Sequence, residues 1–334
     1  AVEFFLLTSA YLLILFFYLQ NCHLQQNTSI YNLNHTLLLH ANSVLEKLDT
    51  ASGFPLAHMA DRYNDPLLKY LVEKNHGGIT QTDFYRFFYN RTNEVFIQFP
   101  EVESIILLDK EGNLLDSKTV YNLYLPAGDY SSGAWYENCR EMAGKLYILN
   151  EEEVSYLGWR QTPQNLHAAR ILYDHLTLKP ICITLIGIRA ADIPITFETE
   201  KLFDAQQYAI YDSSCRQFIG NLETFPGQEA LLASRSGDYY QMYRESGTTY
   251  LYHISYSSKA GGSYSVIRTP YRLLLWDQFR TVFGILVGGL ALIVLNISIF
   301  GGIIGSIHRP LARLVNMCEE IGHGNFSIRI PCSQ

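Results

Sequence analysis

The sequence predicts an α+β chain in which two membrane-spanning helices flank an extended domain of two antiparallel lobes. Three observations predict it: a charge-free run near each end, a heptad-patterned helix after the first run, and two successive sets of alternating strands. Of the 334 residues, 48% are hydrophobic and 17% charged. The charged share lies below the usual quarter, and the shortfall is concentrated in the two terminal runs. A net charge of -7 gives no basic surface, so no nucleic-acid partner is expected.

Thr281 to Ile307 carries no ionisable side chain. At about 1.5 Å per residue it outreaches a hydrocarbon core of about 30 Å. Arg280 bounds it on one side, and His308 and Arg309 on the other, as interfacial groups. Gly284 with Gly288, and Gly301 with Gly305, have the small-xxx-small spacing that lets helices approach closely. Phe4 to Leu19 is a shorter apolar run, long enough to span with little tilt or with further upstream residues. A cleaved signal peptide is the rival reading, but Leu19, Gln20 and Asn21 lack the small residues that cleavage needs. Ala1 in place of Met, and a pattern interrupted at Gln334, lead us to expect a segment of a longer protein. The expected divisions are 1–20, 21–280, 281–307 and 308–334.

Between the runs, a helix is expected to continue to about Leu48. Leu24, Tyr31, Leu38 and Leu45 recur every seven residues, with Ile30, Leu33, Leu37 and Val44 as a second apolar strip. Asn27 and Asn34 at companion positions make the first part of that seam loose, and packing on the chain's own domain is the alternative to a stalk. Asp65-Pro66 has the form of an N-cap with proline in the first turn, starting a helix through Val72. Val102 to Asp109, Leu114 to Ser117, His167 to Tyr173 and Ile181 to Ile188 are expected strands, with turns at Lys110-Glu111-Gly112-Asn113 and near Lys179-Pro180. A second set follows at Gln207 to Tyr211, Gln217 to Ile219, Tyr239 to Arg244, Thr249 to Ser255 and Ser263 to Arg268, with hairpins at Gly247 and Gly261-Gly262. Cys22, Cys139, Cys182, Cys215, Cys318 and Cys332 have no metal-ligand spacing. Cys139, Cys182 and Cys215 are read as free thiols, with one disulfide as the alternative.

IILLDKEGNLLDS, Ala134-Trp135-Tyr136, HAARILYD and ICITLIGI follow one another in an order that resembles the membrane-distal lobe of the double Cache sensor domain. That domain hangs two PAS-like lobes on one long N-terminal helix, and the likeness covers roughly Asn21 to Phe279. It implies a distal lobe at about 95–190 and a proximal lobe at about 200–268. It also implies a distal pocket for which Trp135, Tyr136, Tyr147, Arg160 and Arg170 are the candidate lining. Aromatic walls with one or two cations suit a small polar or anionic ligand. The amino-acid-binding form of the family has an Arg shortly before the Trp-Tyr pair. Here Ser131, Ser132, Gly133 and Ala134 occupy that stretch, which speaks against amino-acid recognition. Simple core packing of Trp135 and Tyr136 is the competing reading, in a chain with 24 Tyr and 18 Phe.

After the second run, Pro310 opens a helix with an apolar seam at Leu311, Leu314, Met317 or Cys318, and Ile321. The stretch RPLARLVNMCEEIGHGNFSIRI resembles the first helix and connector of a HAMP domain, with Glu320 before the helix end and Gly324-Asn325-Phe326 as the stop. An ordinary amphipathic juxtamembrane helix is the alternative. The resemblance implies a cytoplasmic homodimeric coiled coil, signal relay through Pro310, Leu311, Leu314, Glu320 and Gly324, and an extracytoplasmic location for about 21–280. Together the two resemblances suggest the front end of a YesM-type sensor histidine kinase in a bacterial plasma membrane. Such a receptor binds an extracellular small molecule or a solute-loaded binding protein, and signals to a response regulator through a kinase domain outside this chain. A chemotaxis receptor or a membrane diguanylate cyclase shares the same front end. No GxSxG or HExxH pattern is present, so no catalytic residue, cofactor or metal is expected within the chain.

Overall fold

A computed structural model describes residues 2–57, 65–120, 130–157, 165–174, 176–212, 215–222, 238–258, 262–303, 305–306 and 309–323. The chain opens on one uninterrupted helix, α1 (Val2–Ser52). Its buried strip begins at Ile30 and continues through Leu33, Leu37, Ala41, Val44, Leu48 and Ala51. Leu24 and Tyr31, expected to lead the heptad, are exposed. From Ile30 onward the helix packs on the sheets of its own domain, and past Tyr31 both strips are buried, Leu38 and Leu45 of the heptad included.

Asn34 also departs from expectation. It is wholly buried, and it anchors the helix where a loose seam was expected. Its amide nitrogen donates to the carbonyls of His253 and Ser265, both at 3.1 Å. The same nitrogen lies 3.0 Å from His253 Nδ1 and 3.1 Å from Ser255 Oγ. Further along, Asn42 accepts from Ser263 Oγ at 2.9 Å, and the Ser52 carbonyl accepts from Thr184 Oγ1 at 2.9 Å. One helix therefore underlies both sheets, bonding to the second near its middle and to the first at its end.

Asp65 caps α2 (Pro66–Val72) as its sequence implies, accepting from the backbone of Leu67 and Leu68. Thr80 caps α3 (Gln81–Gln98), whose buried face is Phe84, Phe88, Thr92 and Val95. The first sheet comprises β1 (Val102–Asp109), β2 (Leu114–Thr119), β3 (Tyr147–Ile148), β4 (Asn165–Tyr173) and β5 (Pro180–Arg189). Between β2 and β3 lies α4 (Ala134–Glu141), and between β3 and β4 lies α5 (Glu151–Tyr156). After α6 (Asp192–Glu200) come β6 (Gln207–Asp212), β7 (Gln217–Gly220), β8 (Tyr239–Glu245), β9 (Thr248–Ser257) and β10 (Ser263–Pro270).

The first sheet has the order β2-β1-β5-β4-β3 and the second β7-β6-β10-β9-β8, with antiparallel pairing throughout. Raising each strand number by five converts the first order into the second, so the lobes are topological repeats. The repeat extends to the first hairpin. In the first lobe Asp109 accepts from the backbone of Glu111 and Asn113 and donates its own N–H to the Asn113 carbonyl. Gly112 supplies the positive φ of +92° that this turn requires. In the second, Asp212 accepts from the backbone of Arg216 and donates to the Arg216 carbonyl.

Residues 26–273 form one compact unit, and residues 1–25 with 274–334 form another. Helix α7 (Tyr271–Ile303) starts at the residue after β10 ends, and α8 (Arg309–Gly322) follows. Among the described residues one helix, Tyr271–Gly302, is long and apolar enough to cross a membrane. The Tyr11 hydroxyl of α1 donates to the Ile285 carbonyl, and the hydrogen atoms of Gly289 make room for the Tyr11 ring. Gly284, Gly288 and Gly301 face open space. Cys22, Cys139, Cys182, Cys215 and Cys318 are free thiols, and burial pushes the Cys139 thiol up to about 12. Cys332 lies outside the described residues.

A candidate ligand site in the first lobe

Strand alternation gives the first sheet two faces. One carries Leu107, Arg170 and Thr184, which are cross-strand partners, and it meets α1. The other carries Ile106, Leu108, Ala169, Ile171, Ile183 and Leu185, and α4 and α5 complete an apolar cluster over it. Helix α4 turns Trp135 and Cys139, four residues apart, onto that face. Tyr136 stays at the rim, edge-on to Trp135 with ring centroids 5.8 Å apart, and its hydroxyl donates to the Lys110 carbonyl at 3.2 Å.

The indole of Trp135 is fully buried. Gly133 makes this possible, because a Cβ there would stand 2.6 Å from Trp135 Cδ1 and 2.8 Å from Tyr156 Cε1. Trp135 Nε1 nevertheless has no hydrogen-bond partner among the described residues. A buried indole N–H normally finds an acceptor, and none of the described residues supplies one here.

Beside it lies a closed polar network. Tyr147 donates its hydroxyl to Glu153 at 2.7 Å, and Asn138 donates to the Tyr147 oxygen at 2.9 Å and to Glu153 at 3.2 Å. Glu153 also closes a capping box with Asn150 at the start of α5. Burial, reinforced by the neighbouring Glu153 carboxylate, pushes the Tyr147 hydroxyl up to about 12, so it remains a donor across the physiological range. Among the described residues no group of His, Cys, Asp or Glu has the arrangement a metal ion needs.

Of the five expected lining residues, Trp135, Tyr136 and Tyr147 come together. Arg170 points the other way. Its guanidinium donates to the Gly144 carbonyl at 2.8 Å and the Asp49 carbonyl at 3.0 Å, and pairs with the Asp49 carboxylate at 3.0 Å. The alternation of β4 forces this, since its neighbours Ala169 and Ile171 take the face covered by α4 and α5. Arg160 lies outside the described residues. Asn138 and Glu153 were missed by sequence reasoning, although Asn150-x-x-Glu153 has the spacing of a capping box. In the relay segment, Pro310, Leu311 and Leu314 lie on α8 with both leucines exposed. Glu320 falls in the same helix, and Gly324 lies outside the described residues.

The chain resembles the extracellular domain of rpHK1S-Z16, a protein assigned as a histidine kinase, with a TM-score of 0.53 and 18% identity over 75% of this chain and 97% of that one. It also matches the sensory domain of the Campylobacter jejuni chemoreceptor Tlp3 at a TM-score of 0.46 and 12% identity, over 76% and 98%. The ligand-binding domain of the Pseudomonas aeruginosa PAO1 amino-acid chemoreceptor PctC, in complex with GABA, matches at 0.40 and 11%, over 72% and 100%. No described protein family and no curated protein matches the chain. At 18% identity the first of these likenesses establishes a fold shared with that extracellular domain.

Proposed function

We propose that this chain is the sensing and membrane-crossing portion of a bacterial two-component receptor, with an extracytoplasmic domain that binds a small polar solute in the first lobe. The observation that carries the reading is the fully buried Trp135, whose Nε1–H has no partner among the described residues, on the helix-covered face of a lobe with a sensor-domain fold. Trp135, Tyr136 and Tyr147 form the proposed wall. The unpaired donor favours a ligand that presents an acceptor oxygen, such as a sugar or an organic acid.

In this reading α7 crosses the bilayer and the first part of α1 crosses beside it, an arrangement supported by the Tyr11–Ile285 hydrogen bond. The exposed Leu311, Leu314 and Val315 of α8 support a HAMP-type helix that completes its apolar seam against a second copy. Output through a histidine kinase follows from the two resemblances taken together. The test is thermal unfolding of the chain in lipid nanodiscs against sugars, organic acids and amino acids. A stabilising solute whose affinity falls about tenfold in Trp135→Phe, which keeps an aromatic ring but removes the donor and part of the wall, supports the site. Undiminished affinity in that variant overturns it.

A further inference from the structure

We propose that Arg216 is a coupling joint between the lobes, carrying the packing state of the first-lobe pocket wall into the strand pair that leads to α7. The hairpin repeat isolates what is special about this residue. In the first lobe, the last residue of the turn is Asn113, whose amide donates to Asp109 at 2.8 Å and does nothing further among the described contacts. The equivalent residue in the second lobe is Arg216. It caps its own Asp212 in the same way, through Nε at 3.1 Å and Nη2 at 2.8 Å. An asparagine suffices for that task, as the first lobe demonstrates.

The additional length of Arg216 takes its guanidinium across to the other lobe. Its central carbon lies 4.4 Å from the ring centroid of Tyr147, within the range of a cation–π contact. Tyr147 is almost completely buried, at 3% exposure, and belongs to the apolar cluster that includes Trp135. One ring thus serves both as pocket wall and as the surface Arg216 reads. From Asp212 the connection runs along β6, which pairs with β10 from Asp212 opposite Ser263 to Gln207 opposite Arg268. Strand β10 then passes directly into α7. An Asp-clamped guanidinium and a buried aromatic ring meet at one point, so a displaced wall is passed on to the hairpin.

The proposal deepens the sensor reading but is tested with no ligand present, so a failed solute screen leaves its outcome unaffected. The experiment is amide hydrogen exchange on the full chain in lipid nanodiscs, with Trp135→Phe as the disturbance of the pocket wall. With Arg216 in place, exchange should quicken roughly fivefold at 147–156 and at 207–212, the size of a weakened buried contact. Arg216→Asn keeps the turn cap in its first-lobe form and removes the contact with Tyr147. In that background the response at 207–212 should fall below about twofold, while the response at 147–156 persists. If Trp135→Phe does not fold, Ile171→Val disturbs the same face with the loss of one methyl group. A response at 207–212 that Arg216→Asn leaves undiminished overturns the proposal, and so does the absence of any response there with Arg216 intact.

Discussion

Two glycine hydrogens decide whether Trp135 can lie flat in its lobe. Gly133→Ala would bring a methyl group to 2.6 Å from the indole, so the ring or the backbone has to shift. The expected cost is about 2 kcal/mol in denaturant unfolding, typical of overpacking, with a red-shifted emission as the indole is displaced. A second expectation concerns buried imidazoles. Desolvation lowers both His253 and His167 from the usual 6.5 to about 4. Between those values the unfolded chain binds protons that the folded chain refuses, so stability is complete above about pH 6.5 and declines as pH falls toward 4. Each histidine contributes up to about 3 kcal/mol to that slope. Melting curves from pH 7 to 4.5 should steepen accordingly, and His253→Gln should flatten part of the decline. An unchanged slope in that variant would remove His253 as a cause.

Among the elements, α2 offers the sharpest test of local design. Asp65 caps the helix with one oxygen and pairs with Arg91 of α3 at 2.6 Å with the other. Arg91 and Asp65 are largely shielded from water, so Asp65→Ala removes a cap and leaves Arg91 with the more distant Glu94, at 3.9 Å, as its carboxylate partner. About 2–4 kcal/mol of destabilisation is expected in urea unfolding. Asp65→Asn, which keeps the cap, should cost less. This helix start was legible because Asp-Pro states it within two residues. The strands were legible for a similar reason: β1 matches the expected Val102–Asp109, and β6 to β10 fall within two residues of expectation, since alternation and turn residues mark them locally. Helix α3 was passed over even though Phe84, Phe88, Thr92 and Val95 follow a helical period behind Thr80. Its exposed face carries Tyr85 and Tyr89, which blur the contrast between faces. The outward turn of Arg170 and the reach of Arg216 depend on strand register and on a contact between lobes, and neither leaves a mark on nearby residues.

Across the whole molecule, the proposed topology is open to direct measurement. With the chain in sealed inside-out vesicles, single cysteines introduced on α8 should react with an impermeant maleimide, while those placed at exposed Leu176 or Ile97 should be protected, with the five free native thiols and Cys332 first replaced by serine. Labelling on the same side for both sets would defeat the receptor reading. A bilayer also gives the open glycine edge of α7 a natural counterpart, since small residues there admit a second helix closely.

The direct passage from Pro270 to Tyr271 has a mechanical corollary. Gears that mesh without backlash waste no travel, and the proposed coupling requires the single peptide bond between strand and helix to act in that sense. Three flexible residues, Gly-Ser-Gly, spliced between Pro270 and Tyr271 should act as a slipping clutch. Both parts would keep their folds and their melting behaviour, while motion imposed on the sheet would no longer turn the shaft.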